Sequence, residues 1–237
     1  MGEVGEETPK WLLEVGERSI AQRQLEGLEA ATDAVASIRV LTGHAHEAIE
    51  RFIDPASGIE TVHNPHYERL NNWYSVLVAL RSIDDPDPAV AVINGDLLAP
   101  AEWFAHFARD AANAEHQALI AVDLARELTD ESMKVSVAAG DERRLEAIGK
   151  TGIDNPVGEY VGMLAARGQM LAEFRSAFES FEGRPESANE WYERGVGLNA
   201  RAGLTWTVWP TPGGDWMEID DDNDHAAAVA LQAGGSI

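Results

Sequence analysis

Apolar positions recur at helical spacing over most of the chain. Between Lys10 and about Ile53 one row runs Ala21, Leu28, Val35, Thr42, Ile49, and a second runs Gln24, Ala31, Ile38, Ala45, Phe52. Eight of those ten residues are apolar, and a seam of that period predicts a long helix packed lengthwise on another. Gly16, Gly27 and Gly43 each weaken such a helix by about 1 kcal/mol relative to alanine, so a kink near one of them is expected. Asp54 to Gly58 reads as a turn. Asn64-Pro65 opens a second helix over 65–83, with Leu70, Trp73, Leu77 and Leu80 on one stripe. The apolar run 89–93 fits a strand or a buried helical turn and leads into Asn94-Gly95-Asp96. Pro100 begins a helix over 100–128, and Asp130 caps a short helix to Ala139. Another short helix runs to Ile148. Asp154-Asn155-Pro156 starts a helix over 157–182 carrying Tyr160, Met163, Leu164, Met170, Phe174 and Phe178. A last helix of this region covers 186–198.

The pattern changes near Leu204. Leu204 to Trp209 alternates like a strand, Thr211 to Asp215 is turn-forming, and Trp216 to Ile219 returns as a partner strand. A short helix follows from His225 to Leu231. The expected fold class is therefore mainly α: a multi-helix bundle with a long N-terminal helix and a small C-terminal β-hairpin. Its expected divisions are an N-terminal arm over 1–9, a helical domain over 10–202, and the hairpin with an acidic, Gly-rich tail over 203–237.

Charge changes this picture more than any motif does. Asp and Glu number 41 against 18 Lys plus Arg, a net charge of −23, while 45% of the residues are hydrophobic. That combination excludes a disordered acidic tail and implies a packed core under a self-repelling surface. Only Lys10, Lys134 and Lys150 are lysines, leaving 15 arginines. At molar salt the Debye length falls to about 3 Å and the repulsion is screened. The composition is similar to that of proteins from salt-in haloarchaea or the viruses that infect them, so the expected location is a virion or the cytoplasm of a halophilic host. The absence of cysteine excludes disulfides and thiol chemistry. From the acidic N-terminus no secretory signal is expected, no membrane span is expected, and nothing basic favours direct nucleic-acid binding.

Candidate chemistry is sparse. His44 and His46 lie near one turn and His63 and His66 near the next, so a His/carboxylate metal site aided by Glu47 or Glu60 is conceivable. Glu102, His106 and Asp110 share a helix face, but the paired Glu-x-x-His of a di-metal bundle is missing. Asp220, Asp222 and Asp224 suggest a weak cation site, although His225 and Leu231 stand where a calcium loop wants Gly and Glu. Trp206, Trp209 and Trp216 either cover the end of the bundle or form a partner contact. No nucleophile elbow, phosphate loop or dinucleotide fingerprint occurs. No catalytic residue and no cofactor are assigned. The acidity, the arm and the missing motifs point to a non-enzymatic subunit of a large assembly. The expected setting is a minor virion protein at the neck or connector of a haloarchaeal tailed virus, with a homo-oligomer and other protein subunits as partners. The alternatives are a helical-bundle metal protein or enzyme, and an acidic nucleic-acid mimic.

Overall fold

The stretch Gly158–Arg167 is apolar on both alternating sets of positions, which suits a strand covered on both faces. In the computed structural model, which describes residues 8–84 and 88–234, that stretch is the central strand of a mixed α/β fold. In chain order the elements are β1 (Glu14–Val15), β2 (Arg18–Ser19), α1 (Ile20–Glu29), β3 (Arg39–Thr42), α2 (His46–Phe52), β4 (Glu60–His63), α3 (Asn72–Arg81), β5 (Ala89–Ile93), β6 (Leu97–Leu98), α4 (Ala101–Ala112), β7 (Ala118–Asp123), β8 (Lys134–Val137), β9 (Leu145–Gly149), β10 (Gly158–Arg167), α5 (Gly168–Glu179), α6 (Glu193–Arg201), β11 (Thr207–Pro210), β12 (Met217–Glu218) and α7 (Asp222–Ala233). Short 3₁₀ turns cover Lys10–Leu12 and Pro185–Ser187.

β10 runs antiparallel to all three of its neighbours. Ala165 pairs with both Ala91 and Leu119, and Glu159 with both Asp123 and Lys134, so β7 takes one edge while β5 and β8 share the other. The edge changes hands at a bulge between Tyr160 and Leu164, where Gly162 has φ +81°. β11 lies parallel to β7, and β9 continues antiparallel from β8. Three small pairs flank this sheet: β1 with β2, parallel β3 with β4, and β12 with β6.

The period of two along β7 sorts its side chains into two cores. Ile120 and Val122 join Trp73, Leu77, Phe174, Phe178 and Trp206 under α3, α5 and α6. Leu119 and Ala121 join Trp103, Phe104, Phe107 and Trp209 under α4. A third cluster of Trp11, Val15, Ile20, Ile49, Leu98, Ile219 and Ala228 binds the N-terminal hairpin, α1, α2 and α7 together.

The mainly-α bundle is thus corrected: the protein is 35% helical around a multi-strand sheet. The expected helix over 10–53 is a 3₁₀ turn, a hairpin about Gly16, α1, β3 and α2. Ser19 starts α1 with a capping box shared with Gln22, and Thr42 of the expected seam lies in β3, where it and its neighbour Val40 are β-branched and extended. The helices expected over 100–128 and 157–182 each divide into a helix and a buried strand, and the short helices expected up to Ala139 and Ile148 contain β8 and β9 instead. The C-terminal strands do not form a hairpin with each other, since β11 joins the main sheet and β12 pairs with β6. Most of the arm expected over 1–9 lies outside the described residues.

Candidate active site

In open α/β sheets, ligands bind beyond the carboxyl ends of the parallel strands. β5 ends there in Asn94-Gly95-Asp96, and the chain turns at once into β6. β12 pairs with β6, matching Glu218 to Leu97, and the Ile219 N–H donates to the Asp96 carbonyl at 3.1 Å. The backbone therefore carries Asp220 to Asp96. Lys10 arrives from a segment 210 positions away from Asp220, its ammonium 2.6 Å from Asp220 Oδ1 and 3.5 Å from Asp96 Oδ2. The lysine is fixed through its neighbour. Trp11 Nε1 donates to Gln24 Oε1 at 3.0 Å, and Gln24 Nε2 donates to the carbonyls of Asn94 at 2.9 Å and Leu97 at 3.0 Å. One glutamine on α1 thus clamps the turn holding Lys10 to the turn holding Asp96.

The site carries surplus negative charge. Its recess pushes the Asp96 carboxyl up despite Lys10, and Asp220 adds to the push. Burial by itself would lower the Lys10 ammonium, but the two carboxylates outweigh it and hold the group above the ordinary lysine value. Glu218, crowded by the protein on one side and beside Asp96, is pushed up to about 7, with the Asn94 amide pulling the other way. Glu193, on the first turn of α6, is also raised to about 7, by burial and then by Glu218 and Asp96, against its own backbone N–H. Behind these acids Tyr160 and Tyr192 are fully enclosed, and burial raises both hydroxyls well above their usual range.

Asp96 and Asp220 present hard oxygen donors that already converge on one cation, the Lys10 ammonium. That donor set fits Mg²⁺, which typically takes one or two carboxylates and completes its shell with substrate phosphates and water. Among the described residues no group of three or more His, Asp or Glu side chains makes a complete metal cage, so such a cation would need oxygens from a ligand.

The residues singled out from the sequence fall in several places. Parallel pairing of β3 with β4 brings His46 and His63 together, ring centroids 4.7 Å apart. His63 Nδ1 lies 3.3 Å from Thr42 Oγ1, His66 Nδ1 pairs with Arg69 at 2.8 Å, and His44 stands near Tyr67. Asp220, Asp222 and Asp224 do not converge: Asp220 faces Lys10, Asp224 Oδ2 accepts the N–H groups of Asp220 and Asp221, and Asp222 lies exposed on the first turn of α7. Trp206, Trp209 and Trp216 are all buried, in the cores on both faces of the sheet. Trp209 and Trp216 donate to Asp110 at 2.7 Å and Asp123 at 2.8 Å. Sequence reasoning missed Lys10, Asn94, Asp96, Tyr192, Glu193 and Glu218 as a site. The available signal was an acidic residue shortly after each of two strand-like stretches, Asp96 beyond 89–93 and Asp220 beyond 216–219. A separate recess of about 480 Å³ between α4 and β11, lined among others by His106, Arg109, His116 and Arg143, shares no residue with this cluster.

Residues 1–188 match the MobA-like NTP transferase domain, and the chain belongs to that family. Three solved structures show the same fold. The CTP:phosphocholine cytidylyltransferase of Streptococcus pneumoniae is 16% identical, with a TM-score of 0.72 over 98% of this chain and 93% of that one. The inositol-1-phosphate CTP transferase of T. maritima is 16% identical, with a TM-score of 0.70 over 98% and 90%. An apo UDP-glucose pyrophosphorylase is 10% identical, with a TM-score of 0.76 over 100% and 94%. No curated protein matches the sequence significantly. Family and neighbours point to a nucleotidyltransferase enzyme, which overturns the non-enzymatic virion subunit.

Proposed function

We propose that the protein is a nucleotidyltransferase that joins the nucleoside monophosphate of an NTP to a phosphomonoester and releases pyrophosphate. The observation that carries this reading is the convergence of Lys10, Asp96 and Asp220 at the carboxyl end of β5. In the transfer, an oxygen of the acceptor phosphate attacks the α-phosphorus, the bond to the bridging oxygen of the β-phosphate breaks, and the electron pair leaves with pyrophosphate. Such chemistry asks the protein chiefly for positioning and for positive charge near the phosphoryl oxygens. Lys10 supplies a fixed positive charge there. Asp96 and Asp220 would hold a divalent cation, which when bound neutralises charge on the phosphates.

The phosphomonoester class rests on the fold neighbours, whose names include phosphocholine and inositol 1-phosphate. Within that class the acids favour an acceptor whose alcohol portion is cationic. Glu193 is 8% exposed and its Oε2 lacks a hydrogen-bond partner among the described residues, while Glu218 adds a second carboxylate nearby. A buried carboxylate of this kind is offset by a cation on the ligand.

The test is pyrophosphate release in concentrated KCl with Mg²⁺, across a panel of NTPs and of phosphomonoesters with cationic or neutral alcohols. Activity with at least one pair is expected. Lys10→Met and Asp96→Asn should each lower kcat by roughly 10²-fold or more, the scale seen when one charge-stabilising group is removed from a transition state. A panel that stays silent, or an Asp96→Asn variant with full activity, would count decisively against the reading.

A further inference from the structure

Asn94 stands where β5 meets the bulge of β10. Its backbone N–H donates to the Gly162 carbonyl at 2.8 Å, and a Cβ on Gly162 would lie 2.8 Å from Asn94 Nδ2. The left-handed glycine at the bulge therefore makes room for this side chain. The Asn94 amide is spanned on both sides. Tyr192 Oη donates to Asn94 Oδ1 at 2.6 Å, and Asn94 Nδ2 donates to Glu218 Oε1 at 3.2 Å. Tyr192 has one hydroxyl proton and spends it on Asn94, so in the 2.7 Å contact between the two tyrosines it is Tyr160 that donates. The bonds thus run one way, from Tyr160 through Tyr192 and Asn94 to Glu218. Tyr192 is held in turn by its backbone N–H, which donates to Asn72 Oδ1 at 2.9 Å.

The direction matters for the site. With Oδ1 engaged by a phenol, the Asn94 amide is fixed with its NH₂ toward the Glu218 carboxylate. Without that donor Asn94 Oδ1 loses its hydrogen bond from the phenol, and the amide is held from one side, by its 3.2 Å bond to Glu218. Asn94 opens the turn that bears Asp96, and Glu218 lies two residues before Asp220. One amide orientation therefore ties both carboxylate-bearing segments together. We propose that Tyr192 is a positioning residue for the Asp96–Asp220 cation site, acting through the side-chain amide of Asn94. This rests on the reading of that site given above.

Supporting partners of ligating carboxylates typically change metal affinity by about 10–100-fold when removed. The test is direct Mn²⁺ binding to the intact protein, read from the EPR signal of free Mn²⁺ in 2 M KCl, where diffuse attraction to the acidic surface is screened. Wild type, Tyr192→Phe, Tyr160→Phe and Asp96→Asn are compared well below their melting temperatures. Tyr192→Phe should bind roughly tenfold more weakly. Tyr160→Phe removes a buried hydroxyl from the same relay but leaves the Tyr192–Asn94 bond, so its affinity should stay within about twofold of wild type. Asp96→Asn should lose the tight site. If Asp96→Asn loses binding while Tyr192→Phe binds like wild type, or if both phenylalanine variants weaken equally, the positioning role is overturned. If Asp96→Asn itself binds like wild type, the cation site is wrong and the positioning role falls with it.

Discussion

Glu193 is a buried acid whose ionisation the fold resists. Its carboxyl moves from 4.5 to about 7 on folding. An acid raised in this way binds its proton more tightly when folded, so the folded state is favoured while the group stays protonated. Between pH 4.5 and about 7 the unfolded chain releases that proton and the folded one keeps it, so stability falls as pH rises through the window. A shift of this size amounts to up to about 3 kcal/mol. Glu193→Gln keeps the shape of the protonated acid without its ionisation. It should be more stable than wild type by roughly 1–3 kcal/mol at pH 8, with the gap closing toward pH 4.5. Urea unfolding at the two pH values checks this, and equal stabilities at pH 8 would contradict it. The lysines show a related selectivity. Lys10 bridges Asp96 and Asp220, Lys134 donates to three backbone carbonyls, and Lys150 pairs with Glu131 while sitting 4.9 Å over the Trp191 ring. A chain that uses this residue three times places each one where a compact ammonium is held by the structure.

At the scale of elements, α1 and α4 cross at a contact closer than a side chain allows. A Cβ on Gly27 would lie 2.2 Å from the Ala101 carbonyl oxygen and 2.9 Å from Phe104 Cβ. Gly27 looks like a weak point when helix propensity alone is considered, since alanine there would gain about 1 kcal/mol. The backbone carbonyl cannot step aside, so Gly27→Ala should instead destabilise by about 2 kcal/mol, measured by urea unfolding, and a stabilised variant would refute the close packing. The same tension between local pattern and tertiary context explains which elements were legible. The stripe Trp73, Leu77, Leu80 on α3 is buried as its spacing requires, and the Ala89–Ile93 run is a strand, one of its two sequence readings. β7 and β10 carry a helix-like pattern because both their faces are covered. A strand buried on two sides has no polar alternate, and a continuous apolar run beside a true helix extends that helix on paper. The site was less legible still. In the sequence Asp220 stands out only for its acidic neighbours, Asp96 only as the end of Asn94-Gly95-Asp96, and Lys10 as the start of an expected helix. The partnership of these three depends on β6 pairing with β12, which no local pattern encodes.

The chain carries a net charge of −23, and among the described residues most of the acids lie outside two conventional cores packed on the two faces of the sheet. The long-range repulsion among those charges is what salt removes, because the Debye length falls from about 10 Å at 0.1 M to about 3 Å at 1 M. Raising KCl from 0.1 to 3 M should therefore lift the melting temperature by roughly 10 °C, equivalent to a few kcal/mol for a chain of this size. A melting temperature independent of salt would mean that the acids are already balanced locally.

The residues that meet around the proposed phosphates lie far apart along the polypeptide, Lys10 and Asp220 being 210 positions apart. Between them the central strands must first collect their neighbours, and contacts so distant in sequence form late because loop closure costs entropy before they can be made. On a ribosome the chain would complete most of its sheet while still lacking the segment that closes the site. It would bear no complete centre until Asp220 had emerged. Catalysis then reports that the polypeptide has finished folding, and in refolding it should return only with the slowest kinetic phase.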